Sequence, residues 1–445
     1  MRETKMTVRA FFLKRQKWLY CAASCLVVLV ALGRIAFVCR SGLSLVDLIA
    51  YCDVSFSLFC GHNPFPDHTE LLTIEHWNKV PIVYPGQMLF FAPLGFLWSN
   101  AVQVAWIVLN IAVIFFVVAL TFVKACGYAW RDLWLPGEKQ FLYAVCCFAF
   151  LFSSNAMTTM RIGQIPVVLT LCLYGMFWCR PSRILCIFLF AFIAVTKYSL
   201  LFVFAPLLFF KGYWKFCIAA FALFVLFSIS PVFRGNDLKE VYTGYFEAVK
   251  YLFEPGEINH YGVSGMAMCH LGFLKMTVVN HILKAIVLVF VLYLVWRERQ
   301  SSCLSDTLLL LAFSLTMLVS YHQFYDFSIV FPLFFIRLFA FAKERKWGLF
   351  GVTALFPLFL LVPGTLILKV SSWIGGIPGM DSVFYLVDNP WRKPFFHVFP
   401  HMAFYTIALS AWSLYLYFRV EKPYCFELAV PGGTAPDSSN AGKDG

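Results

Sequence analysis

The chain alternates long apolar runs with short polar interruptions. A membrane-crossing helix needs about 20 apolar residues, within a range of about 17 to 25. On that measure the runs predict spans at roughly 18–39, 101–123, 140–156, 164–179, 183–196, 198–210, 214–231, 276–296, 304–321, 326–342, 347–368 and 400–418. Several are short. Short spans that meet at a polar residue read as helices ending inside the membrane around a cavity, where irregular backbone is tolerated. Residues 84–98 have two readings: a further span, or a segment that dips in and returns.

Charge orients the spans. The opening MRETKMTVRAFFLKRQKW holds six basic residues and one acid, and the apolar run behind it has no small-residue cleavage site. It reads as a retained first span with its amino end inside. The inner connections are then Lys124/Arg131/Lys139, Arg180/Arg183, Lys211/Lys215, Arg297/Arg299 and Lys343/Arg345/Lys346. All are basic, as the positive-inside rule requires. The outer face receives loops at about 40–83, 232–275 and 369–399, and turns at Arg161, Lys197 and 321–327. Arg161 and Lys197 run against the bias, and a charge so placed calls for a partner.

Composition agrees. The 445 residues are 61% hydrophobic and 13% charged, against about 25% charged in soluble proteins. An all-α polytopic membrane protein follows. It divides into a basic amino terminus (1–17), one transmembrane domain (18–418) and a polar tail (419–445), which ends in the disorder-like VPGGTAPDSSNAGKDG. The net charge of +12 lies in short loops, a topology and headgroup signal with no nucleic-acid partner implied. Of the 15 cysteines, most lie in apolar runs, such as Cys146, Cys147, Cys172, Cys186 and Cys217, and read as small buried hydrophobes. A disulfide among Cys52, Cys60 and Cys269 is left open. His62, His68 and His76 match no standard metal spacing. The sequence points to no metal and no cofactor, and no Gly-rich phosphate loop or soluble nucleotide domain is present.

Five polar constellations remain, each with a plain reading beside a functional one. In SLVDLIAYCDVSFSLFCGHNPF, Asp47 and Tyr51 share a helix face at i, i+4, and Asp53 follows. Such a carboxylate either solvates the end of a span or is held for chemistry. MRIGQIPVV places Arg161 and Gln164 before a new apolar run, either as an anion site at a helix amino terminus or as a capped turn. In VTKYS, Lys197 parts two apolar halves, and no water-facing loop accompanies it to support simple snorkelling. EINHYGVSG, with Asn259 and His260, is a binding loop or an ordinary one. YHQFYDF, with His322, Tyr325 and Asp326, is a packed polar network or a site. An ionisable residue inside a membrane is a functional hypothesis by default.

In order, these residues resemble the polyprenol-phosphate-mannose-dependent glycosyltransferases of the GT-C superfamily, in particular glycosyltransferase family 87. The similarity runs from about residue 40 to 345. Its first loop matches at Asp47, Tyr51, Gly61 and Pro64-Phe65. Tyr84-Pro85-Gly86 followed by Pro93-Leu94 matches the next block, with the family's second Pro replaced by Gly86. Gly163-Gln164 and Lys197 match two further blocks. Asn259 and Ser264 stand at a different spacing from the family's Asn and Ser, and His322, Tyr325 and Asp326 match the late cluster.

The resemblance implies a GT-C-type bundle of about 12 helices with two long outer loops. It implies transfer of a hexose, mannose foremost, from a polyprenyl-phosphate donor to a lipid or glycan acceptor at the outer face. Inversion of the anomeric centre would follow from direct displacement. Such a transfer needs a base for the acceptor hydroxyl, a role that suits Asp47 with Asp53 in reserve, and cations for the leaving phosphate, for which Arg161 and Lys197 are the candidates. Tyr51, Gln164, Asn259, His260, His322, Tyr325 and Asp326 fall to substrate binding. The resemblance favours a bacterial inner membrane over endoplasmic reticulum. A transporter or flippase of a lipid-linked sugar is the alternative and would more often carry internal repeats, of which none is evident. A scaffold binding protein through its outer loops is a third reading.

Overall fold

The computed structural model describes residues 45–65, 83–179, 181–251, 277–298, 303–319, 324–362, 364–378, 385–389, 393–398, 401–420 and 423–426, with parts of 18–36. An apolar helix, α1 (Tyr20–Gly33), comes first. The long polar segment behind it carries α2 (Val46–Phe59). Two apolar edges of α2 are buried. Leu48 and Cys52 join the main core, while Ala50, Val54 and Leu58 face Val83, Met88, Val241 and Tyr245.

Residues 84–98 form a single turn at Pro85–Gln87 and then α3 (Met88–Phe96), which packs back on α2. Nine residues rise only about 14 Å, less than half the hydrocarbon thickness. Of the two readings for this segment, the further span does not fit α3 by itself, which is too short.

Next come α4 (Asn100–Leu120), α5 (Glu138–Phe152), α6 (Ser154–Ile162), α7 (Pro166–Trp178), α8 (Arg183–Lys197), α9 (Leu201–Leu208) and α10 (Trp214–Ser228). They are followed by α11 (Leu238–Tyr251), α12 (Thr277–Glu298), α13 (Asp306–Val319), α14 (Phe331–Lys343), α15 (Trp347–Phe359), α16 (Gly364–Gly375) and α17 (His401–Arg419).

The dozen apolar runs do not become a dozen full-length helices among the described residues. Three stretches are long and apolar enough to cross a membrane unaided: Asn100–Ala125, Arg183–Leu200 and Trp214–Arg234. A bent pair, α5 with α6, has its halves inclined by 56° and is either a broken span, which would be a fourth, or a re-entrant segment. The bend has a local cause. Ser153 leaves the helical region and caps α6 through the Ala156 amide, while Ser154 Oγ donates to the carbonyls of Leu360 and Val362 at 2.7 and 2.8 Å. Shorter helices such as α7, α13 and α15 have 13 or 14 residues.

The all-α expectation holds apart from two small antiparallel ladders among the described residues. One pairs Tyr385–Asn389 with Lys393–Val398, Tyr385 opposite Val398. The other pairs Leu304–Ser305 with Cys425–Phe426, Leu304 opposite Phe426. A disulfide joins Cys303 to Cys425. The disulfide left open at Cys52 and Cys60 is not formed, since both are free thiols; Cys269 lies outside the described residues.

That second ladder marks one end of the bundle. The Asp306 amide donates to the Tyr424 carbonyl at 2.8 Å, and the Tyr424 hydroxyl donates to the Lys124 carbonyl at 3.2 Å. Lys124 therefore lies at this end, while Arg297 stacks over Tyr417 near the end of α17. From the ladder α13 leads away for about 20 Å. The 3-10 segment that follows α13, Phe324–Val330, holds Asp326.

Candidate functional site

Four chain segments far apart in sequence bring their polar side chains to one place. Asp47 and Tyr51 come from the first turns of α2 and lie on one face, as their spacing predicts. Gln164 comes from the turn between α6 and α7. Lys197 is the last residue of α8, and Asp326 sits in a 3-10 segment, Phe324–Val330.

Gly163 sets the turn. Its φ of +81 is open to glycine at little cost, and it caps α6 by donating to the Thr159 carbonyl at 3.0 Å. A Cβ there would lie 2.5 Å from Leu48 Cβ and 2.9 Å from the Leu48 nitrogen. The bare backbone therefore presses on the first turn of α2 and delivers Gln164 beside Asp47. The far end of α2 is pinned too. Arg234 Nε donates to the Phe59 carbonyl at 2.6 Å, and Asn236 Nδ2 to that of Leu58 at 2.7 Å. Gly61, at φ +84, lies where a Cβ would meet the Arg234 carbonyl oxygen at 2.8 Å.

The contacts are specific. Gln164 Nε2 donates to Asp47 Oδ2. The Tyr51 hydroxyl donates to Gln164 Oε1 at 2.9 Å. Lys197 Nζ contacts Asp326 Oδ1 at 2.5 Å. The Lys197 charge also acts on Asp47. Burial pushes the Asp47 carboxyl up to about 6, against the opposite pull of the Gln164 bond and of Lys197. The 3-10 segment bearing Asp326 is anchored from α6 and α7. Asn155 Nδ2 donates to Ser328 Oγ at 3.3 Å, and the Tyr174 hydroxyl to the Ile329 carbonyl at 2.8 Å.

Other expected residues stand apart. Asp53 lies about 120° round the helix from Asp47 and is not joined to Gln164. Its Oδ2 is buried without a hydrogen-bond partner among the described residues, and burial pushes its carboxyl up to about 7. Arg161 is exposed and sits in the last turn of α6, not at a helix amino terminus. The next amino terminus begins at Pro166. The expected anion site in that form is therefore corrected. The reason is the Gly163 turn, which closes α6 after Arg161 and places the next helix start beyond Gln164. Tyr325 lies in the 3-10 segment beside Asp326. Asn259, His260 and His322 lie outside the described residues.

Sequence reasoning missed three features. Asp306 and Arg337 form an ion pair, both almost fully buried. The signal was present as two opposite charges at the edge of one apolar run and within another. Gln87 is buried beside the site and donates to the Thr196 carbonyl at 3.4 Å. Tyr84 stacks on Phe224 at 5.7 Å and shares a 2.8 Å hydrogen bond with Ser228, tying the turn at Pro85–Gln87 to α10. Among the described residues, no group of three or more His, Cys, Asp and Glu stands ready to hold a metal ion.

A helical membrane protein with a buried carboxylate and an ion-paired lysine at one end is the class this arrangement defines. The chain matches the family described as glycosyltransferase family 87 over residues 84–320. That is more than half of its length, and the chain belongs to glycosyltransferase family 87, a family of membrane glycosyltransferases. Gln164 and Lys197 fall inside the matched segment, Asp47 before it and Asp326 just after. No curated protein matches the chain. No solved structure matches it either.

Proposed function

We infer that the chain transfers a hexose, mannose foremost, from a polyprenyl-phosphate donor to a lipid or glycan acceptor, with Asp47 as the base. Residues 18–418 act as one unit, set in a bacterial inner membrane with the polar cluster at the outer face. The observation that supports this most directly is the buried Asp47 carboxylate, held by Gln164 and within the electrostatic reach of Lys197, which is itself paired with Asp326.

The chemistry needs little more. A phosphate monoester is a stable anion and leaves without a general acid. The acceptor oxygen forms a bond to the anomeric carbon as the bond from that carbon to the phosphate oxygen breaks. The electron pair departs with the phosphate. The acceptor proton passes to Asp47, whose pKa near 6 leaves it ionised at neutral pH yet basic enough to accept. Direct displacement inverts the anomeric centre. Lys197, held by Asp326, and the exposed Arg161 supply positive charge for the developing phosphate. Tyr325, Asn259, His260 and His322 are assigned to the sugar.

The test is transfer from radiolabelled polyprenyl-phosphate-mannose in purified membranes, wild type against Asp47→Asn. Donor consumption by wild type and its loss in a folded variant support both donor and base. Donor movement across the bilayer without consumption would overturn the transferase reading for this donor. Retained turnover in Asp47→Asn would move the base to Asp53.

A further inference from the structure

We propose that Gln164 is a positioning residue for Asp47, its amide locked by Tyr51 so that a neutral donor holds one carboxylate oxygen and leaves the other for the acceptor hydroxyl. This rests on the reading of Asp47 as base and assigns Gln164 a task different from sugar binding.

The geometry leaves Gln164 little freedom to act as a substrate ligand. It is 6% exposed. Its carbonyl end accepts from Tyr51 and its amino end donates to Asp47. The Tyr51 hydroxyl decides which end faces the carboxylate. Without that donor the amide is free to turn and set its own carbonyl against Asp47, which repels. The backbone adds a second constraint. Gly163 abuts Leu45, the N-cap of α2, and Leu48, the residue after Asp47. Donor and acceptor are therefore fixed by one rigid contact between the α6–α7 turn and the start of α2.

A neutral donor suits the task. A lysine in this place would hold the oxygen but drain the basicity of the carboxylate. An amide orients it and lowers its proton affinity less. Other charges face the same carboxylate or the helix that bears it. Lys197 approaches from α8 with Asp326 behind it. Arg161 stands at the end of α6, and Asp53 with Tyr51 on α2 itself. Tyr242 and Tyr245 come from α11, and Arg234 packs on Phe59 at the far end. Packed on α2, α3 has no titratable side chain. Among the described residues, Gln164 is the group in this set with a side-chain hydrogen bond to Asp47.

The experiment has two readouts. One is an infrared pH titration of the Asp47 carboxyl in the purified full chain, with its band identified by loss in Asp47→Asn. The other is the pH profile of transfer from polyprenyl-phosphate-mannose. Removing a donor from a carboxylate raises its pKa. Gln164→Ala is expected to raise the Asp47 midpoint by about one pH unit. The acid limb of the rate should move by the same amount, a roughly tenfold loss below the limb that closes above it. The donor KM should stay within about twofold, since uniform binding is untouched. Tyr51→Phe keeps the Gln164 side chain but frees its amide to turn, and is expected to shift the midpoint in the same direction by a comparable amount. It covers the case in which Gln164→Ala fails to fold.

If Tyr51→Phe and Gln164→Ala leave the midpoint unmoved, or Gln164→Ala raises KM with the limb in place, the positioning role is overturned. If the midpoint moves while Asp47→Asn keeps its turnover, the base assignment is what fails.

Discussion

Lys197 Nζ and Asp326 Oδ1 stand 2.5 Å apart although 129 residues separate them in sequence. The carboxylate side chain is fully buried and that of the lysine is 18% exposed. The pair ties the end of α8 to the 3-10 segment that follows α13. It also explains how a lysine set against the positive-inside bias is tolerated.

Removing one member of a buried ion pair leaves the other uncompensated, at about 3–5 kcal/mol. Asp326→Asn is therefore expected to lower the melting temperature in detergent and to abolish transfer. Lys197→Met combined with Asp326→Leu should restore most of the stability and none of the activity. A double-mutant cycle with no coupling between the two positions would contradict the pairing.

Gly163→Ala puts a side chain into the left-handed region, a strain of about 1–3 kcal/mol, and drives a Cβ into Leu48. The expected result is a lower melting temperature and a large loss of transfer, because Gln164 moves with the turn. Gly212, also at positive φ but with open space around its Cβ position, is the control. Gly212→Ala carries the strain alone and should cost less.

Burial raises Asp47 to about 6 and Asp53 to about 7 from an ordinary 3.8. A carboxyl with a raised folded-state pKa stabilises the fold fully below its unfolded value. That contribution fades as pH rises through the folded value. Stability should therefore fall between about pH 4 and pH 7 from these two groups. Transfer should run the other way, rising through about pH 6 as Asp47 ionises. Asp47→Asn is expected to melt at or above wild type at pH 7.5 while losing transfer. A variant that loses both would mark Asp47 as structural.

Asp306 and Arg337 predict a different behaviour. They are buried, Asp306 directly after the ladder strand Leu304–Ser305 that pairs with Cys425–Phe426, and neither is hydrogen-bonded to Asp47 among the described residues. Arg337→Met alone should abolish accumulation of folded protein, since it strands Asp306. Asp306→Leu with Arg337→Met should recover folding and leave the pH profile of transfer unchanged, because apolar replacement of a whole buried pair is often neutral or better. Altered pH dependence in the double variant would link this pair to the chemistry.

Much of the site was legible because helical spacing and membrane cost are local signals. Asp47 and Tyr51 share a face at i, i+4 in any helix. Lys197 and Asp326 stood out because charge inside an apolar run is expensive. The place of Arg161 was not legible because it depends on where α6 stops, and the Gly163 turn puts it in the last turn of α6. The Cys303–Cys425 disulfide was not legible at all, since both cysteines look ordinary until the strand at Cys425–Phe426 is seen beside Leu304–Ser305.

The linear pattern by itself determined a helical membrane protein, the polar residues worth watching and the basic loops. Each follows from hydrophobic length or from the cost of a charge at one position. Only the tertiary structure decided that Gln164 meets Asp47 and that Lys197 meets Asp326. The breaks at Ser153 and Gly163, the packing of α3 on α2 and the partnership of Asp306 with Arg337 belong there too. These are contacts between segments 30 or more residues apart, as between Asp306 and Arg337, or over 100 apart, as between Asp47 and Gln164. No propensity or periodicity encodes such contacts; they exist because the packed helices leave each buried charge or donor one place in which to be satisfied.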